Sequence, residues 1–316
     1  MEHEVFLSVK GLRKKYDELL AVDEVSFSVH KKEVFGLLGP NGAGKTTIIK
    51  MLCGLLKADA GKMTFNGISM SAGNYNQIKS MIGFCPQEIV IWELLTCFEQ
   101  LKFVGMSYGL SSKEAGKKAE SLLETLGLAA KKNKYAKTLS GGMQRRLNIA
   151  LALIHDPELI ILDEPQAGLD PQSRILVRDF IRQLAKEKTV ILTTHDMDEA
   201  DRLSDRVAII DHGKILLIDT PEKLKEKSGM GDIIQVRING VNKDEIDRLL
   251  KSIPPVFTEK KYSDGLLLLG AREVLELIPM VNKTLKALNI HIEDMTIRKR
   301  TLEDAFITMT GRGLRE

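Results

Sequence analysis

The stretch Gly39-Pro-Asn-Gly-Ala-Gly-Lys-Thr46 constrains this chain more than any other. It satisfies the spacing G-x-x-x-x-G-K-[ST] of a polyphosphate-binding loop. Glycines at 39, 42 and 44, with Pro40, Asn41 and Ala43 between them, let backbone N–H groups curl round an anion without side chains in the way. Lys45 then reaches the outer phosphates, the Thr46 hydroxyl is placed to ligate Mg²⁺, and Thr47 adds a second hydroxyl. The flanks agree with this reading. The apolar run Val34-Phe-Gly-Leu-Leu38 predicts a buried strand, and Ile48, Ile49, Met51 and Leu52 predict a helix. Strand, loop and helix in that order put the phosphates at a helix N-terminus, where free N–H groups and the helix dipole favour negative charge.

A second buried strand is predicted at Leu159-Ile-Ile-Leu162, ending in Asp163 and Glu164. In open α/β sheets ligands sit at the carboxyl ends of the strands, so both acids arrive where a nucleotide would lie. Asp163 is placed to hold the Mg²⁺ shell and Glu164 to polarise an attacking water. Val190-Ile-Leu-Thr-Thr194 is a third such strand, with His195 at the same sheet edge. Ile82-Gly-Phe-Cys85 is another, running out at Pro86 so that Gln87 stands at a loop mouth, as a metal or water ligand or as a plain solvated side chain. Residues 5–12 and 24–30 alternate as half-buried antiparallel strands do. Tyr16, between them, is either a surface residue or an adenine stack.

Thr138-Leu-Ser-Gly-Gly-Met-Gln-Arg-Arg146 offers a second anion site, or only a cap: Ser140 is a good N-cap for an apolar helix running to about Ile154. Residues 88–128 read as helical, with an unusually apolar start at Ile89-Val-Ile-Trp92. By pattern alone Trp92 is a core residue; the alternative is an exposed docking surface. A net charge of +3, from 46 Lys+Arg against 43 Asp+Glu, gives no polyanion-binding field, so no nucleic-acid partner is expected. Cys53, Cys85 and Cys97 lack metal-ligand spacing and read as reduced thiols. The N-terminus has no signal-peptide pattern, and no apolar run approaches the ~18 residues a spanning helix needs. Any membrane role is expected to need a partner.

Taken in order, Tyr16, the loop 39–46, Gln87, Leu139-Ser-Gly-Gly-Met-Gln144, Leu159 to Glu164, Gly168-Leu-Asp170 and His195 resemble the ATP-binding subunits of ABC transporters over roughly residues 4–225. The resemblance implies an α/β P-loop NTPase fold: a parallel-sheet core, an antiparallel β subdomain and a helical subdomain at about 88–157, all within residues 1–228. It implies that Tyr16 stacks on adenine, and that Gln87 senses Mg²⁺ and the membrane subunit. Lys45, Gln87, Glu164 and His195 become catalytic, with Glu164 the base and His195 the switch near the γ-phosphate. It further implies a head-to-tail homodimer in which Ser140, Gly141 and Gly142 of one copy close over ATP held by the other, with Gln144 and Asp170 in the same motifs. Transmembrane permease subunits follow as partners, which places the chain on the cytoplasmic face of the membrane. Two departures are visible: Gln166 where Thr or Ser is commonest, and Lys32 where a glycine often stands.

Residues 229–316 read as strand 232–238, helix 242–252, strands near 256–262 and 265–269, a helical stretch 272–288 interrupted or restarted at Pro279, and strand 290–298. That βαββαβ order is the ferredoxin-like arrangement of a small α+β accessory domain, joined through a linker at Ser228-Gly-Met-Gly231. Thr301-Leu-Glu-Asp-Ala-Phe306 and the ending 309–315 resemble the tail of daunorubicin-resistance exporter ATPases. An export ATPase is therefore the first expectation. An importer ATPase with an effector-binding tail, or a soluble ABC-type ATPase acting on ribosome or DNA, are the alternatives.

Overall fold

The computed structural model describes residues 4–310 apart from 72, 228, 230, 239 and 240, and only the backbone of Lys243. Part of the expected linker and the ending 311–316 therefore lie outside the described residues. The chain forms two compact units, Met1–Thr220 and Pro221–Glu316. The division falls before the short helix Pro221–Lys227, and not after residue 228 as the sequence predicts.

In the first unit β1 (Val5–Tyr16) and β2 (Leu19–His30) form a long antiparallel hairpin that takes in Arg13 to Tyr16 and turns at Asp17. Then come β3 (Val34–Leu38), α1 (Lys45–Leu52), β4 (Ala60–Phe65), β5 (Ile68–Ser69), α2 (Tyr75–Met81) and β6 (Ile82–Cys85). Helices α3 (Cys97–Ser107), α4 (Ser112–Thr125) and α5 (Gly141–Leu153) follow. The chain returns through β7 (Leu159–Asp163), α6 (Pro171–Ala185), β8 (Thr189–Thr194), α7 (Met197–Leu203), β9 (Arg206–Asp211) and β10 (Lys214–Asp219). One sheet runs β2-β1-β4-β5; the other runs β10-β9-β3-β8-β7-β6, parallel from β9 to β6.

The parallel strands are continuous apolar runs because both faces are covered. Leu159 and Ile161 pack with the hairpin and α1, while Ile160 and Leu162 pack with α3, α4 and α5. Register then aligns the strand ends: Leu38 pairs with Thr194, Asp163 with Thr193, and Cys85 with Leu162. Lys32 has φ +58, the left-handed conformation that accounts for a glycine being common at this place.

Two expectations fail in the helical region. Residues 88–96 are irregular rather than helical, because neighbouring side chains take their backbone donors: Val90 N–H donates to Asn148 Oδ1 and Trp92 N–H to Gln100 Oε1, both at 3.3 Å. Trp92 is not core. It is 47% exposed and packs edge-on against Phe103, which is exposed with Val90, Leu94 and Met106.

The second unit comprises α8 (Pro221–Lys227), β11 (Asp232–Ile238), α9 (Lys243–Ser252), β12 (Glu259–Ser263), β13 (Leu266–Ala271), α10 (Val274–Ala287), β14 (Ile292–Arg298) and α11 (Leu302–Thr310). Its sheet order, β12-β13-β11-β14 with antiparallel neighbours, is that of a split βαββαβ domain. Ile234, Val236, Leu267 and Leu269 meet Leu249, Val281 and Leu285 in a core separate from those of the first unit. Helix α10 runs unbroken through Pro279, which stands in its second turn. Leu275, whose carbonyl would receive the N–H that proline lacks, is on the solvent side. Among the described residues no helix is long and apolar enough to cross a membrane.

Candidate nucleotide site

The turn between β3 and α1 forms the floor of the site. Gly44 caps α1 with φ +101, and a Cβ there would stand 2.5 Å from the carbonyl oxygen of Ala21, so the loop tolerates only glycine at this point. Residues 41–47, with Tyr16, Gln87 and Glu164, line one cleft of about 480 Å³, whose far wall is Leu20, Ala21, His212 and Gly213. Lys45 is 6% exposed. Its ammonium donates to the carbonyls of Gly39 at 2.7 Å and Pro40 at 3.0 Å and stands 3.9 Å from Glu164 Oε1. Burial pushes the Lys45 pKa down, against the pull of the Glu164 and Asp163 charges.

β7 delivers both acids into the interior. Asp163 accepts a short hydrogen bond from the Thr193 hydroxyl, and that hydroxyl in turn accepts from the Glu164 N–H at 3.0 Å. Glu164 is held in the left-handed region, φ +46, which costs a non-glycine residue on the order of 1–3 kcal/mol. Its two carboxylate oxygens are both engaged: Oε1 lies 3.0 Å from His195 Nδ1, and Oε2 accepts from Gln87 Nε2 at 3.2 Å. A carboxylate pinned from two sides beside a buried lysine is the arrangement for orienting a water against a phosphoryl group.

His195 does not line the cleft. It borders a second cavity of about 120 Å³ behind Glu164, together with Gln166, Arg174 and Glu199. Sequence reasoning passed over Glu199, whose carboxyl is pushed up to about 7, chiefly by burial, although the Thr194 hydroxyl donates to it at 2.6 Å. Thr193 and Arg145 were passed over as well. For Arg145 a signal existed: it is a cation on a helix whose neighbours Leu147, Ile149 and Ala150 are fully buried.

Ser140, Gly141, Gly142, Gln144 and Asp170 are not brought to the cleft within one chain. Ser140 Oγ caps α5 by accepting from Met143 N–H at 3.4 Å, and Gln144 Nε2 donates to the Ala136 carbonyl at 3.2 Å. Asp170 caps α6, accepting from Ser173 N–H at 2.9 Å, with Pro171 in the first turn.

The family model described as ABC transporter matches residues 22–167. The linearmycin resistance ATP-binding protein LnrL of Bacillus subtilis (strain 168) is 38% identical over 98% of this chain and 100% of its own length. A Nod factor export ATP-binding protein I of Ralstonia nicotianae is 36% identical over 98% and 95%. The daunorubicin resistance ATP-binding protein DrrA3 of Streptomyces coeruleorubidus is 34% identical over 96% of each. Among solved structures, an ATP-binding subunit of an ABC transporter superposes with a TM-score of 0.64 at 30% identity, covering 70% of this chain and 92% of that one. A bacterial ABC transporter cassette solved as a dimer gives 0.62 at 25% identity, covering 68% and 98%. The chain belongs to the ABC transporter family, as one of its ATP-binding, ATP-hydrolysing subunits.

Proposed function

We propose that this chain powers export through separate transmembrane subunits, with Glu164 as the group that acts on the attacking water. The carrying observation is the engagement of both Glu164 oxygens, by Gln87 and His195, at the mouth of a cleft floored by the phosphate loop. In this reading Lys45 exchanges its carbonyl contacts for phosphate oxygens, Tyr16 stacks on the adenine, and Gln87 releases Oε2 when nucleotide is in place. His195 stays on Oε1, holding the carboxylate towards the water. Thr46, Gln87 and Asp163 offer hard oxygen donors, which suit Mg²⁺. Bound there, the ion supplies charge neutralisation on the phosphates.

The second half of the site is read as coming from another copy, head to tail, with Ser140, Gly141 and Gly142 over the partner's ATP and Gln144 and Asp170 at the same interface. Gly141 supports this. Its φ is not left-handed and a Cβ on it would meet nothing within 4 Å, so the single chain gives no reason for a glycine. Helix termini of this kind bind anions readily. Relatives named for antibiotic resistance and for Nod factor export match end to end, which supports export over import. The exposed Val90, Trp92, Leu94 and Phe103, just beyond Gln87 in the chain, suit docking to a permease at the cytoplasmic face of the membrane. The second unit is assigned an accessory role.

Glu164→Gln tests the assignment. Nucleotide binding should persist, an ATP-dependent dimer should accumulate on gel filtration, and turnover should fall by roughly 10²–10⁴, the usual worth of a positioned general base. Hydrolysis at the normal rate removes Glu164 from the role.

A further inference from the structure

Arg145 lies in the second turn of α5 and is 2% exposed, yet no carboxylate among the described residues contacts it. Nε donates to the Pro165 carbonyl at 3.0 Å. One terminal nitrogen donates to the carbonyls of Pro86 at 2.6 Å and Gln87 at 3.0 Å, and the other to those of Asp163 at 2.8 Å and Glu164 at 2.7 Å. A guanidinium has five N–H donors in a rigid planar fork, and here every one meets a backbone carbonyl. Leaving a cation in the interior without a counter-charge is unfavourable unless its donors are all satisfied. That demand explains why the five carbonyls converge on one point.

The five carbonyls belong to only two segments, one leaving β6 and one leaving β7. These segments carry Gln87 and Glu164, whose side chains meet in the cleft. The left-handed peptide of Glu164 is thus gripped on both sides, its N–H by Thr193 and its carbonyl by Arg145. The neighbouring Arg146 does something else: it reaches outward to the carbonyl of Leu126. Arg145 also stands little more than one helical turn from Ser140, Gly141 and Gly142. A helix moves as a rigid rod over that length, so a displacement of its start is carried to the two segments. Asn148, on the same helix, also holds the segment after β6 at Cys85 and Glu88, but it is the Arg145 side chain whose hydrogen bonds reach both segments.

We propose that Arg145 is a positioning residue for ATP hydrolysis: it sets where Gln87 and Glu164 stand and ties that placement to the first turn of α5. Lysine cannot replace it, since an ammonium has three donors and no planar fork. The proposal rests on the reading of Glu164 as the group acting on water.

The test uses full-length Arg145→Lys, Arg145→Gln and Arg145→Ala beside wild type and Glu164→Gln, measuring kcat and KM for MgATP, equilibrium ATP affinity and Tm. In folded Arg145→Lys, ATP affinity and KM should stay within about twofold while kcat drops on the order of 10²-fold, the scale of a misplacement of about 1 Å. Millimolar guanidinium should restore part of kcat to Arg145→Ala and none to Glu164→Gln. If Arg145→Gln does not fold, Arg145→Lys, which keeps charge and length, decides. Normal turnover in Arg145→Lys, or losses of kcat and ATP affinity in step with the unfolded fraction, overturns the proposal. Normal turnover in Glu164→Gln sinks the underlying reading instead. An inactive Glu164→Gln beside a fully active Arg145→Lys removes only Arg145.

Discussion

The chain contains two glycine-rich helix starts that look alike in sequence and behave differently in the fold. At the start of α1 the glycines are demanded by the chain itself: Gly44 is left-handed and crowded by the Ala21 carbonyl, and the loop around it walls a cleft with Gln87 and Glu164. At the start of α5 Gly142 is crowded, its Cβ position lying 2.2 Å from Ser173 Oγ, but Gly141 faces open space. One site is walled by its own chain; the other is, in the proposed dimer, completed by a second copy. The lesson is that a glycine is informative only against its surroundings. A glycine with a local cause reports on this fold, and one without poses a question that a partner can answer.

The largest expected effect separates the two starts by function. Lys45→Ala should abolish measurable ATP affinity, since it removes the charge beneath the phosphates. Gly141→Ala should leave ATP affinity of the single chain intact and lower steady-state turnover at least tenfold by intruding on a second copy's nucleotide. Equilibrium binding and turnover on the same preparations check both. Unimpaired turnover in Gly141→Ala would break the comparison, because the open space in front of it would then be only solvent.

Stability should divide them the other way. Gly44→Ala forces a Cβ against a backbone oxygen in a left-handed conformation, and strain and overpacking together should cost roughly 2–5 kcal/mol. Gly141→Ala should be neutral or stabilising by up to about 1 kcal/mol, as alanine is the better helix former. Urea denaturation of the two variants reads the difference directly.

The same contrast between local and distant causes marks how far the sequence could be read. The phosphate loop and the run Leu159 to Glu164 were legible because their signals are consecutive residues: glycine spacing, and apolar positions covered on both faces. The βαββαβ unit was legible from alternation, though Pro279 was expected to interrupt a helix that in fact runs through it. Arg145 and Glu199 were not legible as site residues. Their partners lie on other strands and loops; the apolar neighbours of Arg145 hint at a buried cation but not at what it holds, and nothing near Glu199 in sequence announces a buried charge. Trp92 was ambiguous for a different reason: an apolar cluster reads the same whether it faces the core or a surface. Residues 88–96 read as helix because periodicity does not show that Gln100 and Asn148 claim the backbone donors.

The smallest effect sharpens the comparison most. Ser140 Oγ caps α5 within the chain, and in the proposed dimer it is also one of the residues that close over the partner's nucleotide. Losing an N-cap costs typically ~1 kcal/mol, and the 3.4 Å contact puts Ser140→Ala at or below that. If capping is all the hydroxyl does, Ser140→Ala lowers stability by that amount and turnover follows the folded fraction, which hardly changes. If the hydroxyl also donates to a phosphate across the dimer, turnover and the yield of ATP-dependent dimer fall severalfold at a protein stability that is nearly normal. Ser140→Thr keeps both the cap and a hydroxyl, so it should restore stability in either case and turnover only in the second. A drop in turnover that tracks the melting curve in Ser140→Ala would return this helix start to a purely local role and leave Gly141 as its one unexplained residue.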